Sequence, residues 1–211
     1  MNFDTANDAF EYFYELIEKY GDDFGDTKTY FNVGFYIRNP LNNHILSEFR
    51  KWNKDYAEYE WQWYLSGNPN ATEISKKAKI WEKHMDSFGN VQSNYGWQWL
   101  RENQLNEVID KLKKDKNTRQ AVLTFYDGKE ICNYNNDTPC TLSIHFQIIN
   151  NQICMTVNMR SNDLWFGFCN DQYCFSKLQE IVAKKVGIEI GWYYHFASNL
   201  HVYNNFLNKN K

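Results

Sequence analysis

The segment VNMRSNDLWFGFCNDQY, residues 157 to 173, sets an arginine, two acids, a glycine between phenylalanines and the pair Asn170-Asp171 directly after a strand-like run. That mixture suits a ligand with a phosphate at one end and a flat, hydrogen-bonding ring at the other. Arginine forks take phosphate oxygens, aromatic surface takes the ring, and amide or carboxyl groups read its edge. Upstream, Cys140 follows Asp137-Thr138-Pro139 and opens another strand-like run. A thiolate nucleophile needs a nearby positive charge or base, and Arg160, ending the next strand of the hairpin, can supply one.

The elements that must position these residues follow from periodicity. Phe10, Phe13, Ile17 and Tyr20 stand at helical spacing and predict an amphipathic helix over 5–20. KTYFNVGFYIR (28–38) reads as a strand ended by Asn39-Pro40. A mostly helical region runs through YAEYEWQWYLSG to Gly67 and resumes over 72–87, before the Gly89-Asn90 turn. Leu105, Val108, Ile109 and Leu112 mark a further helix over 103–115. The period then changes: 119–126, 141–149 and 152–160 are β-branched or alternating, and Asn150-Asn151 joins the last two as a tight hairpin. Residues 172–186 predict helix, 188–197 strand, and HVYNNFLN a short helix. The expected fold is one α/β (α+β) domain over residues 1 to 211, a largely antiparallel or mixed sheet with flanking helices.

Composition narrows the function. With 23 basic and 26 acidic residues the net charge is −3, so no overall positive field exists to hold a nucleic-acid polymer. Aromatic residues make up 18% of the chain, which suits aromatic-walled pockets or a flat interface. Five cysteines without a CxxC pair indicate neither a disulfide framework nor a metal site, and fit a reducing, cytoplasmic setting. The acid-rich N-terminus reads as neither signal nor transit peptide, and no membrane-spanning run appears.

Taken together, EWQWYLSGN (60–68), KIWEKH (79–84), NYGWQW (94–99), DKNTRQAV, TPC (138–140), MRSND (159–163), FGFCND (166–171) and LHVYNN (200–205) resemble thymidylate synthases in kind and order, over about residues 55 to 206. Three departures, Cys140-Thr141 for Cys-His, Met159-Arg160-Ser161 for Gln-Arg-Ser, and Asp171 for the asparagine that reads uracil, are similar to the deoxycytidylate hydroxymethylases of T-even bacteriophages.

The resemblance implies a thymidylate synthase-like fold with sheets packed back to back in a homodimer, and assigns roles. Cys140 attacks C6 of the pyrimidine, and C5 then takes the one-carbon unit of 5,10-methylenetetrahydrofolate. Hydride from the folate would give a methyl product, whereas water gives hydroxymethyl. Glu60 matches the family's acid-base glutamate, and Asp137 stands where synthases are usually apolar, so that together they would handle the water. Asp171, with Asn170 beside it, would read the base. A neutral carboxylic acid offers one donor and one acceptor, complementary to N3 and N4 of cytosine, and burial favours that form.

Arg160 and Ser161 match phosphate ligands, Arg119 matches one that crosses from the partner subunit, and Lys28 could replace an arginine of an N-terminal phosphate loop that has no counterpart here. Gln120 replaces the second of a paired arginine. His201 and Tyr203 match the pair that bonds the sugar 3′-hydroxyl. Trp81, Asp163, Gly167, Tyr95 and His84 belong to the folate side. The expected substrate is dCMP. A C5-methylating enzyme on dCMP or dUMP, a CMP hydroxymethylase and a nucleotide-binding relative without turnover are the alternatives. His44, His145 and His195 match no role and read as structural. The tail that closes over the site in synthases is short or absent, which agrees with water as the final reactant.

Overall fold

The computed structural model describes residues 1–134 and 136–209. Its centre is an eight-stranded mixed sheet flanked by helices. The strands are β1 (Asn2–Phe3), β2 (Asp22–Phe24), β3 (Thr27–Ile37), β4 (Val122–Thr124), β5 (Thr141–Ile149), β6 (Gln152–Met159), β7 (Asn162–Asp163) and β8 (Glu189–Tyr203). The main order is β1-β3-β8-β6-β5-β4, with β2 on β3 and β7 on β8. β3 and β8 run antiparallel, as do β6 and β5, whereas β6 and β7 both lie parallel to β8. Asn150 and Asn151 both take positive φ, 51° and 59°, the geometry a two-residue hairpin demands.

Helix α1 (Ala6–Tyr20) starts at Thr5, whose hydroxyl accepts from the Asp8 backbone while the Asp8 carboxylate accepts from the Thr5 backbone. Its Phe10, Phe13, Tyr14 and Ile17 are fully buried, and the Phe13 ring lies 4.6 Å from Phe35 of β3. Tyr20, expected on the same apolar face, is 61% exposed because the helix runs out before its turn reaches the core. Helix α2 (Lys54–Ser66) closes at Gly67, in the left-handed region at φ 62°. The longest helix, α7 (Cys169–Val186), buries ten side chains and anchors to the sheet through Gln179, whose amide donates to the carbonyls of Ile153, Gly191 and Trp192.

Three elements differ from the sequence expectation. The helix predicted over 72–87 is two short ones, α3 (Thr72–Ser75) and α4 (Ile80–His84). The break falls over residues 76–79, and Lys76 pairs with Glu73 of α3. The strand predicted over 119–126 forms a ladder only at Val122–Thr124, since β4 is the sheet's edge and pairs on one side alone. His201 and Tyr203, expected in a short helix, lie on β8, whose pairing with β3 continues to Thr27↔Tyr203; a single 3-10 turn, Asn204–Phe206, follows.

A close approach of helices shapes the future site. α5 (Tyr95–Leu100) crosses the end of α2 so tightly that a Cβ on Gly96 would sit 1.7 Å from the Tyr64 carbonyl oxygen. Only glycine fits, and the contact seats Tyr95 against Tyr64, 5.7 Å between ring centroids. Helix α6 (Gln104–Lys114) forms as expected and buries Val108, Ile109 and Leu112.

Candidate active site

The hairpin register does the first part of the assembly. Thr141 of β5 faces Met159 of β6, and the next pair outward is Cys140 and Arg160, joined by a bond from the Arg160 backbone N–H to the Cys140 carbonyl at 2.9 Å. The guanidinium donates from Nε to the Pro139 carbonyl (3.0 Å) and from Nη2 to that of Thr138 (2.8 Å), which holds Nη2 3.6 Å from the Cys140 sulfur. Burial nonetheless pushes the Cys140 thiol up to about 11; Arg160 pulls it down, and Asp171, Asp137 and Asp163 push it further up. The expected charge partner is present, but burial outweighs it and the thiol holds its proton at neutral pH.

Beyond Arg160 and the half-buried Ser161 the chain adds β7 to the sheet, with Asp163 opposite His201. Asp163 then caps a single π-helical turn, Leu164–Phe168, by accepting from the Trp165 backbone at 2.8 Å. Burial raises its carboxyl to about 6 despite that bond. α7 continues from this turn and carries Asp171 in its first turn, where the Asn162 amide donates to Asp171 Oδ2 at 2.8 Å. Gly167 overhangs the pair: a Cβ there would come within 3.0 Å of Asn162 Nδ2 and 3.3 Å of Asp171 Oδ2. Gly167→Ala is therefore expected to push the pair apart and weaken nucleotide binding, measurable by calorimetry, while leaving the far-ultraviolet dichroism of the fold intact.

Part of the Asp171 side chain reaches solvent, yet burial of its carboxyl, with the charge of Glu60 second, holds it well above the usual carboxylate range. Glu60 projects from α2 and is 5% exposed. Its Oε1 accepts from the Tyr64 hydroxyl at 3.2 Å, and its Oε2 has no partner among the described residues. Desolvation lifts Glu60 to about 7. Burial and the charge of Glu60 both disfavour a carboxylate at Asp171, so Asp171 stays neutral while Glu60 exchanges a proton near neutrality. Tyr95 belongs to the same pocket, for its buried phenol is raised further by the charges of Asp171 and Cys140.

Asp137 is buried and held by Ser93, whose backbone N–H donates to Oδ2 at 2.6 Å and whose hydroxyl lies 2.8 Å from both carboxylate oxygens. His84 stands beside it, with Nδ1 3.8 Å from Asp137 Oδ1 and 3.2 Å from the Asn136 carbonyl. His84 also meets the Trp81 ring edge-on, and Trp81 donates from its indole to the Tyr56 hydroxyl at 2.8 Å. Across the cleft, His201 Nδ1 lies 2.8 Å from Asn199 Oδ1, and burial lowers the imidazole so that it is neutral with Nε2 left as an acceptor. Tyr203 packs against it at 5.5 Å and is raised by burial, then by Asp163, Asp26 and Cys140.

Not every expected residue joins this group. Asn170 accepts from the Trp52 indole at 2.9 Å, which commits its amide oxygen to packing rather than to the space beside Asp171. Lys28 pairs with Val202 and so projects from the face opposite Thr29 and His201. Arg119 is exposed just before β4. Sequence reasoning missed Ser93, Asn162, Tyr193 and His195. Of these only Asn162 lay inside a recognised motif; the others reach the site through pairings distant in sequence.

A pterin presents ring N–H and amino donors. The Asp163 carboxyl, which burial raises, beside Gly167, and the rings of Trp81 and Tyr95 supply donor-accepting and aromatic chemistry that fits such a ring.

The thymidylate synthase family model matches residues 17–211. The chain is 33% identical over 180 residues to the deoxyuridylate hydroxymethyltransferase of Pseudomonas phage M6, covering 82% of this chain and 51% of that protein. To the deoxyuridylate hydroxymethyltransferase of Bacillus phage SP01 it is 31% identical over 184 residues, 79% of this chain and 48% of the relative. With the deoxycytidylate 5-hydroxymethyltransferase of Enterobacteria phage T4 it shares 32% identity over 133 residues, 59% of this chain and 54% of that protein. The chain thus spans about half the length of these curated relatives. With a family match over nearly the whole sequence and a cysteine, arginine and carboxyl gathered at one hairpin mouth, the chain belongs to the thymidylate synthase family.

Proposed function

We propose that the protein is a folate-dependent C5-hydroxymethyltransferase that converts dCMP to 5-hydroxymethyl-dCMP in the cytoplasm. The observation that carries the choice of base is Asp171, a carboxyl held neutral by burial and by its neighbour Glu60. With its proton on the oxygen that faces N3, a neutral carboxyl donates to N3 and accepts from the N4 amino group of cytosine, whereas uracil would then meet donor with donor at N3 and acceptor with acceptor at O4. Arg160, Ser161 and, from a partner subunit, Arg119 take the phosphate; His201 and Tyr203 take the sugar 3′-hydroxyl.

Cys140 adds to C6 once its proton is passed on, and Arg160, 3.6 Å from the sulfur, favours the thiolate. 5,10-Methylenetetrahydrofolate, bound by Asp163, Gly167, Trp81 and Tyr95, supplies the one-carbon unit. Glu60, titrating near neutrality, moves the protons of the step at C5. Asp137, with Ser93 fixing its carboxylate and His84 behind it, holds and polarises the water that becomes the product hydroxyl. The dimer forms through the sheet face turned away from the helices.

Incubation with dCMP, dUMP or CMP plus methylenetetrahydrofolate, followed by mass analysis, tests this reading. The expected product is dCMP heavier by CH2O, and a methylated product or turnover of dUMP alone contradicts it. Cys140→Ser is expected to abolish turnover while nucleotide affinity, measured by calorimetry, stays near that of the native protein. Asp137→Leu removes the group proposed to hold water, so the hydroxymethylated share of product is expected to fall; an unchanged share would remove Asp137 from the mechanism.

A second reading keeps the chemistry and changes the base to uracil. It is favoured by the names of two relatives, the deoxyuridylate hydroxymethyltransferases of phages M6 and SP01. Asp171 is the residue that separates the two readings.

A further inference from the structure

Asp171 does not stand alone: behind it runs a buried chain of hydrogen bonds that ends in the sheet. Asn162 Nδ2 lies 2.8 Å from Asp171 Oδ2, Asn162 Oδ1 is 3.0 Å from His195 Nε2, and His195 Nδ1 is 2.8 Å from the Tyr193 hydroxyl. His195 and Tyr193 are completely buried, and Asn162 is 2% exposed. Tyr193 and His195 share one face of β8, and the parallel register with β6 sets them opposite Met155 and Val157. The aromatic rings of Phe35 and Phe168 pack on the imidazole at 5.3 and 5.2 Å and fix its plane.

Such a chain can run in two directions. In one, the phenol donates to His195 Nδ1, His195 Nε2–H donates to Asn162 Oδ1, and Asn162 Nδ2–H donates to Asp171. In the other every bond reverses, and the Asp171 carboxyl donates its own proton to Asn162. Among the described residues the Tyr193 hydroxyl has His195 as its sole partner. The reversed chain would therefore leave the phenolic proton buried without an acceptor, which is costly. Burial keeps His195 neutral, so it offers one donor and one acceptor and passes the direction on.

We propose that Tyr193, His195 and Asn162 are positioning residues that fix the direction of this chain and so keep the Asp171 proton on the oxygen that faces the base. With the direction fixed, Oδ2 accepts from Asn162 and the carboxyl's donor is left for N3 of a cytosine. With the direction reversed, the proton is spent on Asn162 and the base meets acceptors only, which suits the N3–H of uracil better. The inference rests on the reading of Asp171 as the group that recognises the base.

The test compares calorimetric affinities for dCMP and dUMP, which share sugar and phosphate, in the native protein and two variants. Tyr193→Phe frees the chain to reverse. Asn162→Asp keeps the shape of the amide but accepts at both ends, drawing the Asp171 proton away from the base, and serves if Tyr193→Phe does not fold. Each is expected to lower the dCMP-to-dUMP affinity ratio by about tenfold, the worth of one buried hydrogen bond. Damage to the fold alone would weaken both nucleotides together and leave the ratio in place. A ratio unchanged from the native protein in the folded variants overturns the proposal, whichever base the native protein prefers. Tighter native binding of dUMP than of dCMP would instead overturn the cytosine reading, and the variants would still decide the role of the chain.

Discussion

Asp171→Asn is expected to shift the base preference toward dUMP, lowering the dCMP-to-dUMP ratio of kcat/KM by about tenfold. The carboxyl is neutral in the folded protein, and the amide that replaces it has nearly the same shape. What changes is the freedom of the pattern facing the base. The Asn162 donor holds the acid's proton on the oxygen that faces N3, whereas an asparagine can turn its amide over together with that of Asn162 and set its oxygen against the N3–H of uracil. Steady-state kinetics on both nucleotides check this. An unchanged ratio would mean that the base is read elsewhere.

The parts of the site that were legible in the sequence are those fixed by short-range rules. Asn150-Asn151 permits a two-residue turn and the turn sets the register of β5 on β6; a bulge between Thr141 and Ser143 then shifts that register by one residue and makes Cys140 and Arg160 neighbours. Helices α1 and α6 follow from apolar spacing, and the end of α2 from the Gly67 signal. Residues that meet across long stretches of chain left no such mark. Ser93 and Asp137 are 44 positions apart, and Asn162 reaches His195 across 33. Alternation in β8 places Tyr193 and His195 on one face, but only the parallel pairing with β6 brings that face under Asn162. Lys28 shows the same limit in reverse: its charge suggested a phosphate ligand, while the pairing of β3 with β8 sends it to the other face from His201.

Glu60→Gln is expected to cut turnover by about 10²–10⁴-fold, the usual loss for a general acid or base, while making the folded protein more stable at neutral to alkaline pH. The carboxyl titrates near 7 in the fold and at 4.5 when free, so burial favours its neutral form. Its contribution to stability is thus fully present below pH 4.5 and is lost as the pH rises through about 7, because the unfolded chain releases the proton first. Over that window the native protein loses about 3 kcal/mol that the neutral glutamine does not lose. Chemical denaturation of both forms at the two ends of the window checks the prediction. The variant should gain only at the alkaline end, and an equal difference at both ends would mean that Glu60 is not the titrating group. A group that weakens the fold where the enzyme works is what a site built for proton transfer requires.

The central claim is that Cys140 bonds to C6 of a cytosine ring chosen by the neutral carboxyl of Asp171. Release of tritium from C5-labelled nucleotides measures it most directly, because the label leaves only after the ring has been attacked and its C5 substituted. With methylenetetrahydrofolate present, label should be lost from dCMP and not from dUMP, and Cys140→Ser should release none. Release from dUMP alone, or release that persists without the Cys140 sulfur, would contradict the account.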